Sequence, residues 1–263
     1  MARAMCYRCF WPQSLCWCPS LRPMPTRTHF AFLMHPKEFK QEKAATGRLT
    51  HLCLPNSSLH MGVSFDGDAS VQRLLCDPRH HAVLLYPGPG AVNLSAFAGR
   101  SAEPTAGQAA FAASLEGRTL LVVLLDATWS CARKMLRLSP SLQRLPRVMF
   151  TPSGPSRYTI KQQPQEGCLS TLEAVHEVLT VLDRAGLDDY ALPGQLLDVF
   201  GRMQDFQMRC ARDPSRPGYR RQPYSDPGSR VTSARSGRSR RENYLRTPAR
   251  PQDGTAAGAV LLA

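Results

Sequence analysis

Residues 120–129, LLVVLLDATW, decide the fold. Six apolar residues run into Asp126 with no polar alternation, and Thr128 and Trp129 follow directly after Ala127. A run this short and this rich in Val and Leu reads as a strand buried on both faces, the kind found in parallel sheets covered by helices. Charged side chains are avoided inside such strands, so Asp126 marks the point where the chain leaves the core. In open α/β sheets that edge is where ligands bind. Residues 130–138, SCARKMLRL, have helical composition and stop at Ser139-Pro140. The unit therefore reads strand, acidic turn, helix. Two accounts of the Asp stay open at this point. Asp126 or Thr128 caps the following helix, or Asp126 belongs to a site that Trp129 walls.

The pattern recurs on both sides of this unit. Residues 27–35, RTHFAFLMH, read as a first core strand ending at His35-Pro36. His35 is either a satisfied structural histidine or part of the cleft. Residues 82–86, AVLLY, read as a second buried strand running into Pro87-Gly88-Pro89-Gly90. Glycine there allows a close approach of backbone to a ligand, or simply a tight turn. Residues 147–150 are a short fourth strand, and the loop after it carries Arg157, Tyr158 and Lys161. Two cations flanking an aromatic suit phosphate and base contacts, and equally suit a solvated loop. Residues 42–54 are compatible with a helix interrupted at Thr46-Gly47 and bear Lys43, Arg48 and His51. Residues 61–81 carry weak order signals, and residues 99–118 read as a loop or a short surface helix. Ser170-x-x-Glu173 fits a capping box that opens a helix with Leu172, Val175, Val178, Leu179 and Leu182 on its buried stripe. Such a helix start leaves N–H groups suited to a carboxylate. Residues 192–210 form a last amphipathic helix. Strands alternating with helices predict an α/β domain with a mostly parallel sheet.

The ends differ from this body. Cys6-x2-Cys9-x6-Cys16-x-Cys18 opens the chain, and four thiolates on two tight turns can close a tetrahedron around a structural Zn²⁺. Free thiols or a redox pair are the other reading. Trp11 and Trp17 either pack this knuckle against the body or stack on bases. Residues 211–263 hold 11 Arg against 4 acids, so they supply 11 − 4 = +7 of a net charge of +13. That composition predicts a disordered tail with a nonspecific attraction for nucleic acid. The expected organisation is a four-cysteine zinc knuckle at 1–26, a catalytic domain at 27–210 and an Arg-rich tail at 211–263. The excess of 33 Lys and Arg over 20 Asp and Glu points to a polyanionic partner. No segment approaches the roughly 20 apolar residues of a membrane span. Without an export signal, the nine cysteines point to a reducing compartment, the cytoplasm.

Six motifs occur in order: Cys-x2-Cys-x6-Cys-x-Cys, His35-Pro36-x-Glu38, Thr46-Gly47-Arg48-Leu49, Leu85-Tyr86-Pro87-Gly88, Asp126-x-Thr128-Trp129 and Leu169-Ser170-Thr171-Leu172-Glu173-Ala174. As an ordered set they resemble the DTW-domain family of tRNA-uridine aminocarboxypropyltransferases, over roughly residues 6–210. Ala127 stands where the family's central motif often has Gly. The resemblance implies a SPOUT-like α/β domain with a knotted C-terminal region. It implies S-adenosylmethionine as co-substrate, transfer of the 3-amino-3-carboxypropyl group to N3 of a tRNA uridine, and release of 5′-methylthioadenosine. On that reading Asp126, Thr128 and Trp129 are catalytic, with Asp126 either the base for uridine N3–H or an anchor for the cofactor's amino group. Leu85, Tyr86, Pro87, Gly88, Trp129, Ser170 and Thr171 line the cofactor pocket. Cys6, Cys9, Cys16 and Cys18 hold zinc, while Arg48, Arg157 and Lys161 contact tRNA. The expected partner is tRNA, with no membrane and no obligate protein partner. A SPOUT methyltransferase using the same cofactor, and a noncatalytic zinc-knuckle RNA-binding protein, are the competing readings.

Overall fold

A computed structural model of the chain describes residues 4–16, 18–41, 45–98, 106–160, 168–213 and 261–262. In chain order its strands and α-helices are β1 (His29–Met34), α1 (Pro36–Gln41), α2 (Thr46–Cys53), β2 (Ser57–Met61), α3 (Ala69–Cys76), β3 (His80–Leu85), β4 (Val92–Asn93), α4 (Ala106–Ser114), β5 (Thr119–Asp126), α5 (Trp129–Arg137), α6 (Pro140–Gln143), β6 (Arg147–Met149), β7 (Cys168–Leu169), α7 (Thr171–Arg184), α8 (Pro193–Arg212) and β8 (Leu261–Leu262). Six strands make one sheet in the order β2-β1-β5-β3-β6-β4. Every pairing in it is parallel. The expected α/β class with a parallel sheet is what the chain forms.

The apolar run at 120–126 lies inside that sheet because it has two apolar layers to face. Leu120, Val122 and Leu124 pack with Phe30, Phe32, Val83 and Leu85 beneath residues of α2, α7 and α8. Leu121, Val123 and Leu125 pack with Ala31, Leu33 and Leu84 beneath α3, α5 and α6. A strand with both faces covered needs apolar side chains at every position, which is why β5 shows no alternation.

Four local features depart from the expectation. Ser57–Met61 is a strand, although its sequence SSLHM carries no apolar run. It pairs with β1 alone and stays half-buried, so an edge position relaxes the demand for apolar residues. Helix α3 lies within the segment expected to be weakly ordered. Its start is fixed by Asp68, whose side chain accepts from the backbone N–H of Ser70 at 2.9 Å and of Val71 at 3.1 Å. Thr46-Gly47 opens α2 instead of interrupting a longer helix. Tyr158, read as a base-contacting aromatic, is buried and meets the Phe200 ring edge-on at 5.1 Å. The tail beyond Asp213 lies outside the described residues apart from β8, which pairs in parallel with β7. Trp17 and Lys161 also lie outside them. No described helix is long and apolar enough to cross a membrane.

Packing this dense makes stability depend on pH. Burial holds the imidazoles of His29, His35, His51, His60, His81 and His176 below their ordinary value of about 6.5. A histidine lowered in the folded state is protonated first in the unfolded chain. The stability it contributes is complete above about pH 6.5 and is lost as pH falls through the folded values. Thermal unfolding with a chelator present throughout is therefore expected to show a lower melting temperature at pH 5.5 than at pH 7.5, with net proton uptake on unfolding.

Candidate active site at the carboxyl edge of the sheet

Asp126 is the last residue of β5 and lies in register with Met34 at the end of β1. The next residue of that chain segment, His35, donates its backbone N–H to the Asp126 carbonyl at 3.0 Å. The Asp126 side chain is only 5% exposed. Its Oδ1 accepts the Thr171 hydroxyl at 2.6 Å. On another side stands Gly47, where a Cβ would lie 2.2 Å from Asp126 Oδ2. The first turns of α2 and α7 thus close on one carboxylate, and helix N-termini favour negative charge. Helix α5 has Thr128 at its N-cap position with no side-chain capping bond. Thr128 thus does not cap α5 through its side chain, and the partner shown for the Asp126 carboxylate lies on α7. That carboxylate joins α7 and α2 across the sheet edge.

The neighbouring strand end supplies an aromatic wall. Leu85 is buried, while Tyr86, Pro87 and Gly88 are half-buried. The Tyr86 ring meets Trp129 edge-on at 5.7 Å. The Arg147 guanidinium lies 5.6 Å from the Tyr86 ring centre. A Cβ on Gly88 would meet Arg147 Nη1 at 2.8 Å, so the turn lies close against the guanidinium. Trp129 Nε1 is buried and has no hydrogen-bond partner among the described residues. Burial pushes the Tyr86 phenol upward, and the charges of Arg133 and Arg147 oppose that shift. Neither arginine stands out in the sequence. Their proximity to Tyr86 comes from strand order.

The start of α7 is closed rather than open. Ser170 and Thr171 are fully buried, and the capping box between Ser170 and Glu173 is complete. Glu173 also accepts the Ser156 hydroxyl at 2.9 Å and the Arg157 backbone N–H at 2.5 Å, which ties the loop after β6 to this helix. In the expected helix N–H cradle, the Ser170 hydroxyl accepts the Glu173 N–H and the Glu173 carboxylate accepts the Ser170 N–H. Ser170 and Thr171 reach the site through Glu173 and Asp126. Arg157 is exposed, as an RNA contact requires. His35 is 8% exposed, and its Nδ1 accepts the Lys37 backbone N–H at 3.1 Å, so the neutral ring carries its proton on Nε2.

Arg48, expected among the tRNA contacts, is withdrawn from the surface. It is 8% exposed, and Nη2 donates to the Phe39 carbonyl at 2.8 Å. Its guanidinium sits 4.9 Å from the Phe10 ring centre and 4.3 Å from that of Phe39. Phe10 belongs to the cysteine segment, so Arg48 clamps that segment onto α1 and α2. Trp11 adds a second seam, edge-on to Phe206 of α8 at 5.5 Å. The packing role is the one of its two readings that the structure supports.

The four N-terminal sulfurs converge, all within 4.8 Å of one another. Cys6 and Cys18 are 3.9 Å apart, and Cys9 and Cys16 are 3.7 Å apart. A tetrahedron of sulfurs around Zn²⁺ has edges of about 3.8 Å, from a Zn–S bond of about 2.3 Å. The donor set and its spacing thus fit a closed structural site. The backbone N–H groups of Cys9 and Arg8 draw the Cys6 thiol down to about 6. Burial and the neighbouring sulfurs push Cys18 up to about 12. Cys6 thus ionises readily, while Cys16 and Cys18 resist ionising until a cation shares the charge. We predict one zinc ion per chain by native mass spectrometry. Chelation is expected to make four further thiols reactive and to lower the melting temperature, while the helical signal of the body persists.

Comparison with known proteins bears on this geometry. The family model described as the DTW domain matches residues 3–208. The chain is 34% identical over 188 residues to a Drosophila melanogaster protein named tRNA-uridine aminocarboxypropyltransferase 2, covering 69% of this chain and 67% of that protein. It is 31% identical over 219 residues to the Mus musculus protein of the same name, covering 80% of this chain and 68% of the relative. The Macaca fascicularis protein of that name is 28% identical over 218 residues, with 80% and 68% covered. No solved structure matches the chain. With the family pattern spanning most of its length, this chain belongs to the DTW-domain family.

Proposed function

We propose that this chain is a tRNA-uridine aminocarboxypropyltransferase that moves the 3-amino-3-carboxypropyl group of S-adenosylmethionine to N3 of a tRNA uridine. The observation that carries the reading is the meeting of the Leu85–Gly88 turn, Trp129 and Asp126 at one edge of the sheet, in a chain whose relatives bear that enzyme's name. The residues fit the co-substrate. Tyr86 and Trp129 offer ring faces to a flat base or a sulfonium cation. The Gly88 turn offers a backbone cradle, and Trp129 Nε1 offers a donor without a partner among the described residues. Leu85, Tyr86, Pro87, Gly88 and Trp129 would hold it directly. When bound, S-adenosylmethionine supplies an electrophilic carbon on a sulfur that leaves readily.

The protein's task is then mainly orientation. N3 lies on the Watson–Crick edge, so the uridine must be unpaired or turned out of its stack to enter. Trp129 walls the pocket, and Thr128 is exposed beside it, its Oγ1 3.4 Å from Ser130 Oγ. Between the two roles open to Asp126, its burial and its bond from Thr171 favour anchoring and positioning over direct proton transfer. Arg157 and Lys161 remain assigned to tRNA, and the cysteine cluster to structural zinc. A reducing compartment, the cytoplasm, suits four zinc-binding thiolates.

Mass spectrometry of tRNA nucleosides from cells with and without the protein tests this reading, together with product analysis in vitro. Aminocarboxypropyl-uridine and 5′-methylthioadenosine are expected. S-adenosylhomocysteine in their place would make the protein a methyltransferase. Binding of tRNA with no product and no affinity for S-adenosylmethionine would make it a noncatalytic RNA-binding protein.

A further inference from the structure

Several cationic side chains surround the carboxyl ends of β1, β5 and β3. Lys37 lies in the first turn of α1, directly after β1, and is exposed. Its backbone bonds to His35, which bonds in turn to the Asp126 carbonyl at 3.0 Å. Helix α5 springs from β5, the neighbour of β1. It buries Ala132, Met135 and Leu136 and turns Arg133, Lys134 and Arg137 outward. Arg147 opens β6 on the far side of β3 and overlies Tyr86, which touches Trp129 at the start of α5. Electrostatics give the same neighbourhood. Lys37 and Lys134 both act on His35, and Arg133 and Arg147 both act on Tyr86. Lys134 and Arg137 form no ion pair with a described residue.

From β1 to β6 the row crosses three strand spacings, about 14 Å, which spans more than one phosphate of a nucleic-acid strand. We infer that Lys37, Arg133, Lys134, Arg137 and Arg147 form a track that holds the RNA backbone flanking the target uridine. The track rests on the transfer reading for its partner and extends it to the surface that presents the substrate. Two features favour RNA over an acidic peptide. Three of the five cations are arginines whose planar fork matches phosphate, and the group borders an aromatic wall suited to an extruded base. Arg157 stands apart, beyond β6 on the loop tied to α7.

The test is the full chain carrying Lys37→Glu, Lys134→Glu and Arg137→Glu together, compared with wild type by filter binding of tRNA across a salt series. The variant is expected to bind at least tenfold more weakly at near-physiological salt, and the slope of log K against log salt to flatten by roughly two to three. In turnover its kcat/KM for tRNA should fall in step, while KM for S-adenosylmethionine stays unchanged. Arg118→Glu, at the opposite end of β5, should bind within twofold of wild type. Unchanged circular dichroism and melting temperature exclude misfolding as the cause. Binding and kcat/KM within twofold of wild type for the triple variant would overturn the track. So would an equal loss of affinity for polyglutamate, which would make the row a general anion patch. If wild type releases no methylthioadenosine, the transfer reading fails, and the filter-binding comparison still decides the track.

Discussion

Asp126→Ala is expected to abolish aminocarboxypropyl transfer, lowering kcat/KM by about 10³-fold or more, and to cost measurable stability. The buried Thr171 hydroxyl loses its acceptor at 2.6 Å, and an orphaned buried donor costs about 1–3 kcal/mol. That corresponds to a melting temperature lower by several degrees in a chain of this size. The activity loss is larger because the edge that orients both reactants loses its cross-link, and small misplacements of reacting groups cost about 10²-fold. Asp126→Asn separates the cross-link to Thr171 from any direct role of the charge. It keeps an oxygen for Thr171 and drops the charge that faces two helix N-termini, worth about 1–2 kcal/mol. Positioning predicts an activity within about tenfold of wild type for Asn, a similar loss for Thr171→Val, and unchanged dependence of rate on pH. A folded Asp126→Asn protein as inactive as the Ala variant would show that the carboxylate's charge acts directly, on the uridine proton or on the cofactor's amino group. Methylthioadenosine release, with melting temperatures measured alongside, reads each case.

Gly47→Ala reverses the usual sign of its substitution. Ala in a helix is ordinarily favoured over Gly by about 1 kcal/mol. At position 47 the new Cβ would lie 2.2 Å from Asp126 Oδ2 and 2.6 Å from Cγ. Buried on all sides, the carboxylate cannot yield without breaking its bond from Thr171 or moving α2. Overpacking of this kind costs about 1–3 kcal/mol or more. We expect a lower melting temperature and at least a tenfold fall in methylthioadenosine release. Gly201→Ala in α8 is the control, because nothing lies within 4 Å of a Cβ there. It should raise the melting temperature and leave activity unchanged. A stabilised, fully active Gly47→Ala would show that the contact between α2 and Asp126 is dispensable.

Some elements could be read directly from residues. The run at 120–126, the Ser170–Glu173 capping box and the stripe of α7 are local patterns, and each appears where its pattern requires. The four cysteines are close in sequence, so their convergence needs only two turns. Elements with weak local signals are not legible in the residues alone. Ser57–Met61 becomes a strand through its pairing with β1, and α3 depends on one capping residue, Asp68. The site divides the same way. The Leu85–Gly88 turn and Trp129 were named from sequence and do meet. Arg48 looked like a surface cation and is a buried clamp between two rings. Ser170 and Thr171 looked like an open helix start and are enclosed.

By itself the sequence determined the α/β class, the parallel sheet, the cysteine cluster and the position of Asp126 at a strand end. Hydrophobic period, capping chemistry and ligand spacing act over a few residues and are written in the chain. Tertiary structure alone decided what Asp126 faces. Its partners, Thr171 and Gly47, come from helices 45 residues downstream and 79 residues upstream, and the order of strands in the sheet sets their approach. Burial follows from that approach, and burial turns a carboxylate that could have capped a neighbouring helix into the cross-link of the site.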